Sequence, residues 1–110
     1  MGLTILDRQV DGFHVVQLDG DIDIESARDL HAHFTRQIAD ATSRVVVDLS
    51  GVDFMDSTGL AALVGGWHMT RDEGDFRVAG ANPVVQRVLS ITGMEDVFQV
   101  FDTVGDATGR

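Results

Sequence analysis

The stretch Arg44-Val45-Val46-Val47-Asp48-Leu49-Ser50-Gly51-Val52-Asp53-Phe54-Met55-Asp56-Ser57-Thr58-Gly59-Leu60 decides the fold. Arg44 to Leu49 carries three consecutive valines. A strand covered on both faces need not alternate, so this run reads as a buried strand near the centre of a sheet. Ser50 to Asp53 reads as a short polar turn. A helix is then expected to start near Asp56 or Ser57, to run through Leu60, Leu63, Val64 and Trp67, and to stop around Gly74.

On the N-terminal side, Thr4 to Val10 and Phe13 to Asp19 are two β-like runs joined by Asp11 and Gly12, a pair that favours a tight hairpin turn. After Gly20 the period changes. Ile24, Ala27, Leu30, Phe34 and Ile38 recur every three or four residues and predict a helix with one apolar face. On the C-terminal side, Phe76 to Ala79 predicts a short strand. Asn82 and Pro83 supply an N-cap and a first-turn proline for a helix whose Val85, Val88 and Leu89 face inward and whose end is Gly93. A last short strand is expected over Phe98 to Phe101. Hairpin, helix, strand, helix, strand, helix is the order of an α/β fold. The expectation is one domain over residues 1–110, with a mixed sheet of four to five strands and helices in right-handed βα crossovers. Loops at the carboxyl ends of the strands are where a site should lie.

Composition narrows the function classes. Hydrophobic residues make up 44% of the 110, enough for a packed core and too many for a disordered chain. Fifteen Asp and three Glu stand against eight Arg and no Lys, for a formal charge of −10. That balance repels nucleic acid and anionic membranes and favours a protein partner with a basic or mixed docking face. The start, Met1-Gly2-Leu3-Thr4, lacks the features of a secretory signal, and no apolar run approaches spanning length, so a cytoplasmic protein is expected. There is no cysteine. His31 and His33 are two apart on a helix and diverge, and His14 and His68 fall on other elements, so no metal-ligand spacing is read and no cofactor is expected.

Chemistry concentrates where Asp56, Ser57 and Thr58 open the second helix. Phosphate on a hydroxyl there would meet free backbone N–H groups and the positive end of the helix dipole, so the fold should tolerate it. It would add about −1.5 to −2 charges beside Asp53 and Asp56, enough to repel a partner that docks the neutral serine. The same three residues also read as an ordinary helix cap, and the residues alone leave both readings open.

Phe54-Met55-Asp56-Ser57-Thr58-Gly59-Leu60, preceded by its hydrophobic strand and turn, resembles the signature of the STAS domain of bacterial anti-sigma factor antagonists. Leu18-Asp19-Gly20-Asp21-Ile22-Asp23 is similar to that family's acidic segment before the first helix. Asn82 to Leu89, with Gly93 and Met94, is similar to its late helix and turn. The resemblance implies that Ser57, not Thr58, is phosphorylated by an anti-sigma factor serine kinase that uses ATP. It further implies that the unmodified protein binds this kinase and releases a sigma factor, and that a metal-dependent serine phosphatase restores the serine. Asp21, Asp23, Met55, Asp56, Thr58, Gly59 and Leu60 are the residues expected to meet the partner, Met55 as part of an exposed apolar patch. Asp21 and Asp23 equally fit a capping role for the first helix.

Two features depart from the family pattern. Gly65 and Gly66 interrupt the second helix, at a cost in helix stability, and the tail from Asp102 to Arg110 is expected to be truncated or frayed. Other classes fare worse. A phospho-aspartate receiver built on Asp21, Asp23 and Asp48 lacks the lysine its acyl phosphate needs, and a serine hydrolase lacks the glycine before Ser57 that a nucleophile elbow requires. No enzymatic activity is expected. The remaining alternative is a STAS scaffold or regulatory subunit that is never phosphorylated.

Overall fold

A computed structural model describes residues 2–38, 43–70 and 74–109. The chain forms β1 (Leu3–Val10), β2 (Phe13–Ile22), α1 (Ile24–Gln37), β3 (Arg44–Met55), α2 (Ser57–Thr70), β4 (Asp75–Ala79), α3 (Pro83–Ile91), a 3-10 turn at Met94–Asp96, β5 (Gln99–Phe101) and α4 (Val104–Thr108). The five strands lie in the sheet in sequence order. β1 and β2 are antiparallel, and every later neighbour is parallel, which makes the sheet mixed as expected.

The hairpin turn works as its composition predicts. Asp11 and Gly12 both take positive φ, 50° and 84°, the backbone that lets a two-residue turn follow the twist of its strands. From there each helix joins one parallel strand to the next. Crossovers of a single hand between neighbouring strands place α1, α2 and α3 on one face of the sheet, where Leu30, Phe34, Leu63, Val85 and Leu89 pack on Val16, Leu18, Val45, Val47, Leu49 and Val78.

The opposite face holds a smaller core of Phe13, Val15, Val46, Ala79 and Ala107. Strand alternation explains the division: Val45, Val47 and Leu49 point to the helices and Val46 points away. α4 covers this second face. Thr103 caps it by accepting from the Asp106 N–H at 3.0 Å, and Arg77, itself buried, donates from Nη1 to the Ala107 carbonyl at 2.6 Å. Phe13 lies beneath two guanidinium groups, those of Arg44 and Arg77, at 4.0 and 4.8 Å from its ring centre. The expected frayed tail is therefore corrected: the last helix is short, but its Ala107 is fully buried and gives the second core a lid. Arg110 lies outside the described residues.

The turn expected over Ser50 to Asp53 is also corrected. β3 continues through it to Met55, pairing Gly51 with Asp19, Val52 with Gly20, Phe54 with Asp21 and Met55 with Ile22 across two register shifts. These irregularities let a polar sequence stay in the sheet while the strand end is re-aimed. Helix α2 is uninterrupted at its two glycines. A side chain at Gly66 would press on Phe34 and Phe76, with a Cβ 2.8–2.9 Å from their rings, whereas one at Gly65 would meet only His31, at 3.6 Å. Gly66 is thus a close-packing residue under the helix and not a partner-facing one. Trp67 is half-buried against the main core, with its ring beside His68.

Candidate functional site

The strand ends set the site. Because Ile22 pairs with Met55, the helices that follow them, α1 and α2, begin side by side, and the Asp56 N–H donates to the Ile22 carbonyl at 3.3 Å. Both helices are capped by aspartate. The Asp23 carboxylate accepts from the Glu25 and Ser26 N–H groups, each at 3.1 Å, while the Asp23 N–H donates to Ser26 Oγ at 2.9 Å. Asp56 Oδ1 accepts from the Thr58 N–H at 2.9 Å, the Gly59 N–H at 3.0 Å and the Thr58 hydroxyl at 2.5 Å.

These bonds favour the ionised form of each cap. The hydrogen bonds from Ser26 hold Asp23 below the ordinary carboxylate range. The Thr58 hydroxyl, then the Gly59 N–H, does the same for Asp56, although the nearby Asp23 charge pushes the other way.

Ser57 is the first residue of α2 and is exposed. Among the described residues its hydroxyl has no hydrogen-bond partner, whereas the Thr58 hydroxyl is half-buried and committed to Asp56. The cap is therefore Asp56 with Thr58, and Ser57 takes no side-chain part in it. One expectation changes. The N–H groups of Thr58 and Gly59, which a phosphate on Ser57 was expected to find free, are already bonded to Asp56.

Of the residues expected to meet a partner, the fold brings Asp21, Asp23, Asp56 and Thr58, together with the expected phospho-acceptor Ser57, to one end of the sheet at or near the surface. It does not do so for three others. Met55 is only 2% exposed, Leu60 8%, and Gly59 is buried against Ile22 and Met55. Gly59 and Leu60 lie on the buried face of α2, and Met55, the last residue of β3, packs in the core beneath it. The apolar surface near Ser57 comes instead from Phe54, 46% exposed, and Ile24, 60% exposed. Ile24 shares the apolar period of α1, but as the helix's first residue it is not among the buried ones.

The family model described as the STAS domain matches residues 4–107. The chain belongs to the STAS domain family. The anti-sigma-B factor antagonist of Staphylococcus aureus is 30% identical over 101 residues, which span 91% of this chain and 94% of that one. The anti-sigma-F factor antagonist RsfB of Mycobacterium tuberculosis is 29% identical over 105 residues, 96% of this chain and 86% of that one. Among solved structures, an anti-sigma factor antagonist from Mycobacterium paratuberculosis superposes with a TM-score of 0.88 at 32% identity, covering 96% of this chain and 90% of that one. These STAS relatives are named as regulators and not as enzymes.

A second cluster went unread in the sequence. Asp7 on β1 accepts from His14 Nε2 on β2 at 2.5 Å and, at 2.8 Å, from His33 Nε2 on α1. His14 and His33 do fall on different elements, as expected, yet both reach the one carboxylate of Asp7. Burial tends to raise the Asp7 carboxyl, but the hydrogen bonds from His33 and His14 outweigh it and hold the group below its ordinary range. Among the described residues, no helix is long and apolar enough to cross a membrane.

Proposed function

We propose that this STAS protein is an anti-sigma factor antagonist whose binding is switched by phosphorylation of Ser57. The observation that carries the reading is the contrast between two neighbouring hydroxyls. Thr58 is held by the cap, while Ser57 is exposed and unbonded at the mouth of α2. A kinase can take the Ser57 oxygen without breaking any bond of the fold.

The phosphate would add about −1.5 to −2 charges next to Asp56 and its neighbour Asp23, both kept ionised by their capping bonds. Since Asp56 already occupies the nearest N–H groups, much of that charge would face outward to the partner. Repulsion at the interface, not a change of shape, is then the switch. The partner is an anti-sigma factor that is also a serine kinase and uses ATP. Its capture by the unphosphorylated protein frees a sigma factor, and a metal-dependent serine phosphatase resets Ser57. The protein itself needs no cofactor, acts in the cytoplasm and has no catalytic role.

The test is to incubate the purified protein with the anti-sigma kinases of its host and ATP, then weigh intact wild-type, Ser57→Ala and Thr58→Val chains. One added phosphate on wild type and Thr58→Val, with none on Ser57→Ala, is the expected result. Tight kinase binding with no mass gain would replace the switch with the scaffold reading, and phosphate on Ser57→Ala would move the site elsewhere.

A further inference from the structure

Between α1 and α2 runs an open trough of about 410 Å³, lined by Ile24, Ala27, Arg28, His31, Thr58, Ala61 and Ala62. Three facts bear on what could lie in it. In a chain of formal charge −10, its lining contains no carboxylate and does contain a guanidinium. Among the described residues Arg28 has no ion pair or hydrogen bond from its side chain. And Gly65, one turn beyond Ala61 on α2, has no internal reason to be glycine, because a Cβ there meets only His31 Nδ1 at 3.6 Å. Glycine in a helix interior is destabilising relative to alanine. Small residues at Ala61 and Ala62 keep one wall of the trough low, and Gly65, beside the lining residue His31, leaves the helix surface low one turn further on, so that another helix can approach.

Resting on the function proposed above, we propose that the trough receives a helix of the anti-sigma factor that carries aliphatic side chains and a carboxylate, the carboxylate pairing with Arg28. Charge complementarity selects this occupant. A basic segment suits the acidic surface in general, but here it would face Arg28 and find no anion in the lining. Apolar packing on Ile24, Ala27, Ala61 and Ala62 supplies the remaining contact, in the manner of a helix laid into a groove.

The trough is continuous with the switch, since Thr58 lines its mouth and Ser57 precedes it. Phosphate on Ser57 would then stand at the entrance used by an acidic helix. The acidic aspect of the partner helps explain why added negative charge dissociates the pair, which a wholly basic docking face would not.

The test uses full-length protein and the host anti-sigma kinase that modifies Ser57, with affinities from isothermal titration and folding checked by circular dichroism. Arg28→Gln should weaken binding about tenfold and Arg28→Glu by more, since a like charge then faces the carboxylate. Arg87→Glu, on the exposed side of α3, makes the same change in net charge and should stay within about twofold. Gly65→Leu should weaken binding while melting no lower than wild type. Arg28→Glu binding as tightly as wild type, or losing no more than Arg87→Glu, overturns the inference while leaving the Ser57 switch intact. If no host kinase binds wild type, the switch and the trough fall together. If Gly65→Leu does not fold, the arginine pair decides alone.

Discussion

Adjacent glycines on α2 should respond in opposite ways to the same change. Replacing a mid-helix glycine by alanine stabilises a helix by about 1 kcal/mol through its propensity. At Gly65 nothing opposes that gain, because the new methyl would sit 3.6 Å from His31 Nδ1, an ordinary contact. With an unfolding entropy of about 2.1 cal/mol/K per residue, the 110-residue chain has a total near 230 cal/mol/K, so Gly65→Ala should raise Tm by roughly 4 °C. At Gly66 the methyl would lie 2.8–2.9 Å from the rings of Phe34 and Phe76, which form an edge-on pair with centroids 5.9 Å apart. Overpacking a tight core costs about 1–3 kcal/mol. Net of the helix gain, Gly66→Ala should lose up to about 2 kcal/mol, a fall in Tm of up to about 9 °C. Thermal unfolding followed at 222 nm, in the same buffer and at one scan rate, measures both. If the two variants shift Tm in the same direction by similar amounts, propensity alone governs α2 and the packing account of Gly66 is wrong.

Three other outcomes follow from the site and the second core. Asp56→Ala removes an N-cap with two backbone bonds and should cost about 1 kcal/mol, whereas Asp56→Asn should cost little; denaturant titration separates them. Asp7, Asp23 and Asp56 each have a carboxyl held below its ordinary value of 3.8 in the folded state. Their stabilisation is present above that value and is lost as pH falls through their lowered folded values. Unfolding midpoints should therefore drop steeply below about pH 4, and Asp7→Asn should soften the slope. Truncation after Asp102 leaves Arg77 without the Ala107 carbonyl and uncovers Phe13 and Val46. Exposing that apolar surface should cost about 1–3 kcal/mol, and an unchanged midpoint would show that α4 is no lid.

Local signals in the sequence were legible where the cause is local. The Asp11-Gly12 turn, the Asn82-Pro83 helix start and the apolar period of α3 depend on neighbours within a few residues, and the structure places each where it was expected. β3 was cut short at Leu49 because Ser50, Gly51 and Asp53 are poor strand formers; what keeps them in the sheet is β2, more than thirty residues earlier. Met55 looked exposed next to polar Asp56, yet its side is fixed by the sheet. The cluster of Asp7, His14 and His33 joins three elements and has no spacing to read. At the candidate site, Ser57 was legible through its motif, but the division of labour between Ser57 and Thr58 depends on where one carboxylate oxygen of Asp56 points. Arg28 was invisible for the same kind of reason, since the charge of the whole chain conceals a trough without carboxylates.

The unbonded hydroxyl of Ser57 also bears on how such a protein would keep time. A residue that holds nothing in place can be written on and erased with no repacking behind either step. Each molecule would return to an identical starting state, carrying no trace of earlier rounds, and the tempo of response would belong wholly to the enzymes that add and remove the mark.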